Sequence, residues 1–323
     1  MSYSSLPSGV EKTPAREQIV ASVQTVCDRF DDDFWLEKDQ KKEFPFEFHR
    51  AMSESGWLGI TMPVEFGGAG LGVTEAALMM HTVGRSAGAF AACSSIHINL
   101  FGPHAIIKYG TPEQKSKWIP RLITGEDKVA FGVTEPDVGL DTTRIKTRAV
   151  RRGSHYEISG SKVWMSTAQI ANKILLVTRT SPIEDCAKGT DGITLFYVDI
   201  DPKYVEVREI DKMGRAAVDS NLVFIDGLVV SESDRVGEEG DGFRMLLDTL
   251  NPERILIAAE AIGVGRRALD KAVNYANERE VFGRLIGQNQ AIQHPLAESW
   301  MALEAADLMV WRAAGLYDDE EPC

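Results

Sequence analysis

The strongest constraint in this chain is a change of periodicity in its middle. From Pro14 to about Lys128, apolar residues recur three and four apart, the spacing of a helix face. Ile19, Val23 and Phe30 fit one stripe, and Phe48, Met52 and Leu58 another. From Val129 to about Gly240 the texture turns to short runs rich in β-branched and aromatic residues: Ile174–Thr178, Ile193–Val198 and Leu222–Ile225. Gly and Asp clusters separate these runs, as in an antiparallel sheet or barrel. After Gly242 helical spacing returns, with Ile255, Ala259, Ile262, Leu269, Val273 and Ala276 on one seam and a second helix from about Gln290. Strands do not alternate with helices, which disfavours a doubly wound parallel sheet. The expected fold class is α+β in three segments: helical 1–128, β 129–240 and helical 241–323.

Local punctuation supports this division. Thr111-Pro112-Glu113 reads as a helix start, with Thr as N-cap, Pro at the first helical position and an acid in the first turn. Trp118, Ile119, Leu122 and Ile123 follow at helical spacing. Pro63 to Gly72 is a turn-rich break. Gly263-Val-Gly265-Arg-Arg-Ala268 matches a GxGxxA dinucleotide pattern, but the helical seam from Ile262 to Leu269 runs through it. A phosphate loop would instead sit between a strand and a helix. Small residues that let two helices approach closely explain both glycines better.

Composition narrows the function classes. With 35 Lys and Arg against 48 Asp and Glu, the net charge is −13, so a role coating nucleic acid is disfavoured. A local basic site for an anionic ligand remains compatible with that total. Cys27, Cys93, Cys186 and Cys323 form no CxxC pair, which excludes a zinc ribbon or a thioredoxin-type motif. His97 and His104, seven apart, could share a helix face, but no carboxylate or cysteine completes a metal set, so no metal is expected. Apolar stretches such as Ala87 to Cys93 fall short of a membrane span. The N-terminus lacks the apolar core of a secretory signal, and Glu-Glu-Pro-Cys is not a peroxisomal address. The expectation is a soluble intracellular protein without membrane partner, cytoplasmic by default, with mitochondrial or peroxisomal placement left open.

The chemistry concentrates in Ala130-Phe-Gly-Val-Thr-Glu-Pro-Asp-Val-Gly-Leu-Asp141 and Ser161-Lys-Val-Trp-Met-Ser166. A turn built on Glu-Pro and Gly presents backbone N–H groups and the Thr134 hydroxyl to one spot, matching the acceptors at the pyrimidine end of a flavin. Trp164 supplies a flat π surface, and Ser166, two residues on, falls on the same strand face. From these residues alone, a buried core tryptophan explains Trp164 at least as well.

In that order these segments resemble the acyl-CoA dehydrogenase family, and the resemblance covers nearly the whole chain. Phe66-Gly-Gly-Ala-Gly-Leu-Gly72 is similar to the family's turn in the N-terminal helical domain. Val133-Thr-Glu-Pro136 with Asp141 is similar to its flavin loop. Lys212-Met-Gly214, Phe224-Ile-Asp-Gly-Leu-Val229 and Gly240-Asp-Gly-Phe243 are similar to the end of its β-domain, and Glu278-Arg-Glu-Val-Phe-Gly283 with Gln290 to a C-terminal helix-turn-helix. The resemblance implies a helical N-terminal domain, a barrel-like antiparallel middle domain and a C-terminal helical bundle. It also implies FAD as cofactor and an acyl-CoA substrate, with an electron-accepting flavoprotein or other acceptor as partner and a homo-oligomer, dimer or tetramer. The implied reaction is α,β-desaturation: a carboxylate takes the α-proton while the β-hydrogen leaves as hydride to flavin N5, giving a trans-2-enoyl-CoA. Phe131, Val133, Thr134, Trp164, Met165 and Ser166 would contact the flavin. Arg279 would pair with the FAD diphosphate of a neighbouring subunit, with Phe282 and Gln290 at that interface. A DNA-binding side branch of the family would need a basic surface that this acidic chain does not advertise.

One branch of the family, including isovaleryl-CoA and long-chain acyl-CoA dehydrogenases, carries its base on the first helix of the C-terminal domain, just before an Arg. Leu250-Asn-Pro-Glu-Arg-Ile255 puts Glu253 at that place. Enclosure under an apolar substrate disfavours a carboxylate's charged form, which suits proton abstraction. The plainer reading makes Glu253 a first-turn acid after Pro252, favoured by the helix dipole. Asn251 and Arg254 become candidates for the pantetheine end of the substrate and for bracing the base. Leu140 stands where the family usually has a Ser that helps hold CoA, so this contact is weakened or the carrier differs. The chain stops at Asp318-Asp-Glu-Glu-Pro-Cys323, after an expected one and a half helices of a four-helix bundle. That would leave Leu303 and Leu308 uncovered at about 25 cal/mol per Å². The alternative function is a catalytically impaired, shortened copy acting as a binding or structural partner.

Overall fold

The structure, a computed structural model, describes residues 6–323. Seven helices come first: α1 (Pro14–Cys27), α2 (Asp32–Lys41), α3 (Phe46–Glu54), α4 (Val73–Arg85), α5 (Ala89–Phe101), α6 (His104–Tyr109) and α7 (Pro112–Ile123). Eight strands follow: β1 (Val129–Gly132), β2 (Arg148–Arg152), β3 (His155–Ser166), β4 (Lys173–Arg179), β5 (Ile193–Asp199), β6 (Val205–Glu209), β7 (Ser220–Ser231) and β8 (Arg235–Val236). The chain then returns to helix in α8 (Gly242–Glu278), forms the hairpin β9 (Glu280–Val281) and β10 (Arg284–Leu285), and ends in α9 (Gln290–Asp318). The helical, β, helical order is the expected one.

Several local expectations hold for the reasons given. Thr111 accepts from the Gln114 N–H, and the Gln114 side chain returns the bond in a capping box, with Pro112 at N1. Gly263 and Gly265 lie inside α8. A Cβ at Gly263 would sit 2.3 Å from the His81 carbonyl oxygen of α4, so the glycine is a helix-packing notch and no phosphate loop.

Other expectations need correction. Phe30 is buried but lies beyond the end of α1, and Leu58 lies in a 3₁₀ turn after α3; both stripes therefore cross helix ends. His97 belongs to α5 and His104 opens α6, because Gly102-Pro103 breaks the helix. Ala89–Tyr109 does reach the length and apolarity of a membrane span, contrary to the composition reading, and 78% of that window is buried within the protein. After the sheet the chain forms two long helices, α8 of 37 residues and α9 of 29, where one and a half were expected. Leu303 is half-buried against Gly265, and Leu308 is exposed.

The chain divides into two compact units. Among the described residues, the first comprises 6–35, 71–93 and 254–323. Its core is α4, buried on almost every side, against α1 and α9. The Asp318 carboxylate at the end of α9 accepts from the Val73 and Thr74 N–H groups at 2.7 and 2.9 Å, capping the first turn of α4 with a negative charge.

The second unit comprises 36–70 and 94–253 and holds the eight-stranded sheet, in the order β6-β7-β3-β2-β4-β5-β8 with β1 beside β4. The sheet is mainly antiparallel, as expected, but β1 and β2 both pair parallel to β4. Tyr156, Ile158, Met165, Leu176, Phe196 and Val223 are among the residues packed as its core.

Candidate active site

The loop after β1 is built around a buried carboxylate. Glu135 and Val138 exchange backbone hydrogen bonds at 3.0 Å in both directions, turning the chain at Pro136-Asp137. The Glu135 side chain accepts from the backbone N–H groups of Lys146 at 2.6 Å and Thr147 at 2.9 Å. From β3, the wholly buried Lys162 donates to Glu135 Oε1 at 2.9 Å and to the Val133 carbonyl at 3.0 Å. Burial pushes the Lys162 ammonium down to about 8, with Glu135 opposing the shift. Burial works against the charge of Glu135 too, yet Lys162 and the Thr147 and Lys146 donors hold its carboxyl below the usual value.

This clamp fixes Val133 and Thr134 beside β3. The Val163 N–H donates to the Thr134 carbonyl at 2.9 Å. Phe131, Val133 and Thr134 are half-buried, and among the described residues nothing hydrogen-bonds the Thr134 hydroxyl. Directly after Lys162, the β3–β7 register shifts between Lys162 and Met165. Trp164 sits in this bulge with φ +61°, the residue 63% exposed. A bulky residue in the left-handed region costs on the order of 1 kcal/mol or more, and exposure forgoes the burial of a large apolar side chain. Neither cost stabilises the chain on its own; both make sense if a flat partner covers the ring.

The bulge interrupts the simple alternation of the strand: the extra residue turns Trp164 outward, ahead of the buried Met165. Met165 is buried in the core of the sheet, and its carbonyl accepts from Asn221 Nδ2 at 2.8 Å, so its side chain is not at the candidate surface. Ser166 is half-buried and pairs with Ser220 across β3–β7. Arg215, absent from the sequence reading, donates to Ser94 Oγ at 2.6 Å, Ser220 Oγ at 3.2 Å and Ser166 Oγ at 3.4 Å. Lys162 was also overlooked. A signal existed: it falls on the buried phase of β3, where every other occupant is apolar or glycine.

Glu253 lies well inside α8, which begins at Gly242 and runs through Pro252. It is half-buried, with Oε2 shielded from solvent. The reading of Glu253 as a first-turn acid is therefore overturned: it lies eleven positions after the helix start, beyond the first-turn reach of the dipole. The start of α8 is anchored by Asp248, which accepts from Lys108 Nζ at 2.8 Å and from the Tyr109 hydroxyl. Asn251 is half-buried and Arg254 exposed. Leu140 is fully exposed at the end of the Glu135 loop.

Arg279, Phe282 and Gln290 lie in the other unit. Phe282 and Gly283, at φ +53° and +75°, form the two-residue turn between β9 and β10, a left-handed pair of the kind that matches strand twist. This turn leaves Phe282 wholly exposed, with Arg279 and Gln290 also at the surface. Among the described residues, no group of three His, Cys, Asp or Glu could hold a metal ion.

Comparison with known proteins matches the same segments. The chain matches the acyl-CoA dehydrogenase N-terminal domain over residues 13–126, the middle domain over 130–228 and the C-terminal domain over 240–323. It is 34% identical over 281 residues to an acyl-CoA dehydrogenase of Bacillus subtilis (strain 168), covering 87% of this chain and 73% of that protein. It is 37% identical over 279 residues to a 3-(aryl)acrylate reductase of Clostridium sporogenes, covering 86% and 73%. Among solved structures, the glutaryl-CoA complex of a glutaryl-coenzyme A dehydrogenase superposes with a TM-score of 0.90 at 28% identity, covering 96% of this chain and 78% of that one.

Proposed function

Because the chain belongs to the acyl-CoA dehydrogenase family, we propose that it carries out FAD-dependent α,β-desaturation of an acyl-CoA thioester to the trans-2-enoyl-CoA. The observation that carries this reading is Trp164: a strained, exposed indole beside a loop clamped by a buried ion pair is a prepared stacking surface. Bound FAD supplies the two-electron acceptor for the hydrogen leaving the β-carbon. Phe131, Val133 and Thr134 line one edge of the ring site, with the Thr134 hydroxyl and loop N–H groups meeting the acceptors of the pyrimidine end. Trp164 covers a ring face. Ser166 stands close by, and Met165 contributes through its backbone alone.

Glu253 is the base that takes the α-proton. Its half-buried position inside α8 limits water at the carboxylate and favours proton transfer over solvation. Asn251 and Arg254, flanking it, serve the pantetheine end and the orientation of the base. Arg279, Phe282 and Gln290 are held out on the β9–β10 turn and the start of α9 for the FAD diphosphate of a neighbouring subunit, which makes the working form a homo-oligomer. An electron-accepting flavoprotein or similar acceptor regenerates the oxidised state.

One observation favours a second reading, an impaired copy that acts as a binding partner: α9 exposes Trp300, Met301, Leu308 and Met309. A single experiment separates the two. The purified chain, loaded with FAD, is mixed anaerobically with a panel of acyl-CoAs while its visible spectrum is followed. Bleaching by at least one ester is expected; failure to take up FAD would leave the binding-partner reading.

A further inference from the structure

Between the Glu135 loop and β2 runs Arg144-Ile-Lys146-Thr-Arg148. Ile145 and Thr147 are buried, while Arg144, Lys146 and Arg148 are exposed. Alternation thus sends two anchors inward and three cations outward along one edge. The three line an open cavity of about 360 Å³, together with Arg179 and Glu184. Arg179 is buried, and its guanidinium donates to the carbonyls of Thr143 at 2.6 Å, Gly189 at 2.9 Å, Asp191 at 2.9 Å and Ile145 at 3.2 Å. Those acceptors are neutral, so the cavity keeps this positive charge as well.

The carboxylates at hand are few. Glu184 is the one acid in the lining, and Asp137 lies 3.5 Å from Lys146 Nζ with both groups exposed. Among the described residues, Arg144, Arg148 and Arg179 make no ion pair. In a chain of net charge −13, four cations against one lining carboxylate reverse the average surface and attract anions.

The stripe is also tied to the candidate active site. The Lys146 and Thr147 N–H groups that bind Glu135 belong to it. Arg148 pairs in register with Ser159, five residues before Trp164 on β3, roughly 16 Å away at the rise of a strand. An extended pantetheine arm spans a gap of that order between a thioester and its nucleotide phosphates. Leu140, which has no hydroxyl to offer the arm, ends the same loop.

We propose that Arg144, Lys146 and Arg148 form a phosphate-binding subsite for the nucleotide end of CoA, so that charge supplies the carrier affinity that Leu140 does not. The proposal rests on the acyl-CoA dehydrogenase reading, and its test keeps the two apart. One acyl group is presented as the CoA ester, the 3′-dephospho-CoA ester and the pantetheine ester to the wild-type protein and to R144Q/K146Q/R148Q, at low and at moderate salt. The three side chains are exposed, so the core is left intact.

The wild type should show a KM for the CoA ester about tenfold below that for the dephospho ester. The triple variant should lose that preference and raise KM for the CoA ester by tenfold or more, with kcat within about twofold and the pantetheine ester unaffected. Salt should weaken the wild-type preference. A wild type that does not distinguish the CoA ester from its dephospho form, or a triple variant with unchanged KM, overturns the proposal. If none of the three esters turns over, the dehydrogenase reading fails, and calorimetry with adenosine 3′,5′-bisphosphate decides the subsite alone: binding that the triple variant loses supports it, and no binding to the wild type overturns it.

Discussion

The Lys162 ammonium lies 2.9 Å from Glu135 Oε1 with the lysine wholly withdrawn from water, and the same nitrogen holds the Val133 carbonyl at 3.0 Å. One buried pair therefore shapes the loop that presents Thr134. Removing one partner of such a pair strands the other, at a cost of about 3–5 kcal/mol. Lys162→Met should lower the unfolding free energy of the apoprotein by that amount, seen as a lower urea midpoint, and weaken FAD binding, while K162M/E135Q should recover part of the stability. An unchanged midpoint in K162M would show that the pair does not hold the loop.

The same lysine gives a pH signature. Burial brings it to about 8 from an ordinary 10.5, so between these values the unfolded chain binds a proton that the folded chain has released. Stability from this group then rises with pH across that window. The effect is on the order of 3 kcal/mol. Glu135, held low, acts at the other end: its contribution is present above its ordinary value and lost as the pH falls through its folded one. Urea unfolding of wild type and K162M at pH 8 and pH 10 isolates the lysine. The stability difference between the two proteins should change in the wild type's favour on going to pH 10, and a constant difference would contradict the assignment.

Trp164 makes a prediction that a core tryptophan would not. Glycine takes the left-handed backbone of this bulge without strain, and the indole is mostly exposed. Trp164→Gly should leave the apoprotein as stable as the wild type or up to about 1 kcal/mol more so, yet weaken FAD binding about tenfold. Thermal melts of the apoprotein and a flavin titration give both numbers. Strong destabilisation of the apoprotein with unchanged flavin affinity would mark Trp164 as a packing residue.

The notch between α4 and α8 is testable in stability alone. A Cβ at Gly263 meets the His81 carbonyl oxygen at 2.3 Å, whereas one at Gly265 meets the end of the Leu303 side chain at 2.7 Å. Backbone cannot yield as a leucine tip can. Gly263→Ala should therefore cost about 2–3 kcal/mol, and Gly265→Ala clearly less, by denaturant unfolding. Equal costs would argue against close helix packing as the reason for the first glycine.

These residues also show what the sequence made legible. Amphipathic helices were readable where one face is buried, the central strands because their runs are apolar almost throughout, and Thr111 marks the start of α7 through its capping box. Glu253 was ambiguous because Pro252 reads as a helix start, whereas α8 begins at Gly242 and passes through the proline. Strand β2, Arg148–Arg152, offered too little apolar signal beside its arginines. The bulge at Trp164 breaks the period of two on which any strand-face argument depends. Arg215 reaches Ser166 only through the tertiary fold, so no local pattern announced it.

The central claim, that Glu253 removes the α-proton beside a bound flavin, meets its most direct test in one substitution. Glu253→Gln is loaded with FAD and mixed anaerobically with the acyl-CoA that bleaches the wild type fastest. The variant should bind FAD and the ester with affinities close to wild type, yet reduce the flavin at least about a thousandfold more slowly. Bleaching at the wild-type rate in Glu253→Gln would place the base elsewhere and contradict the account.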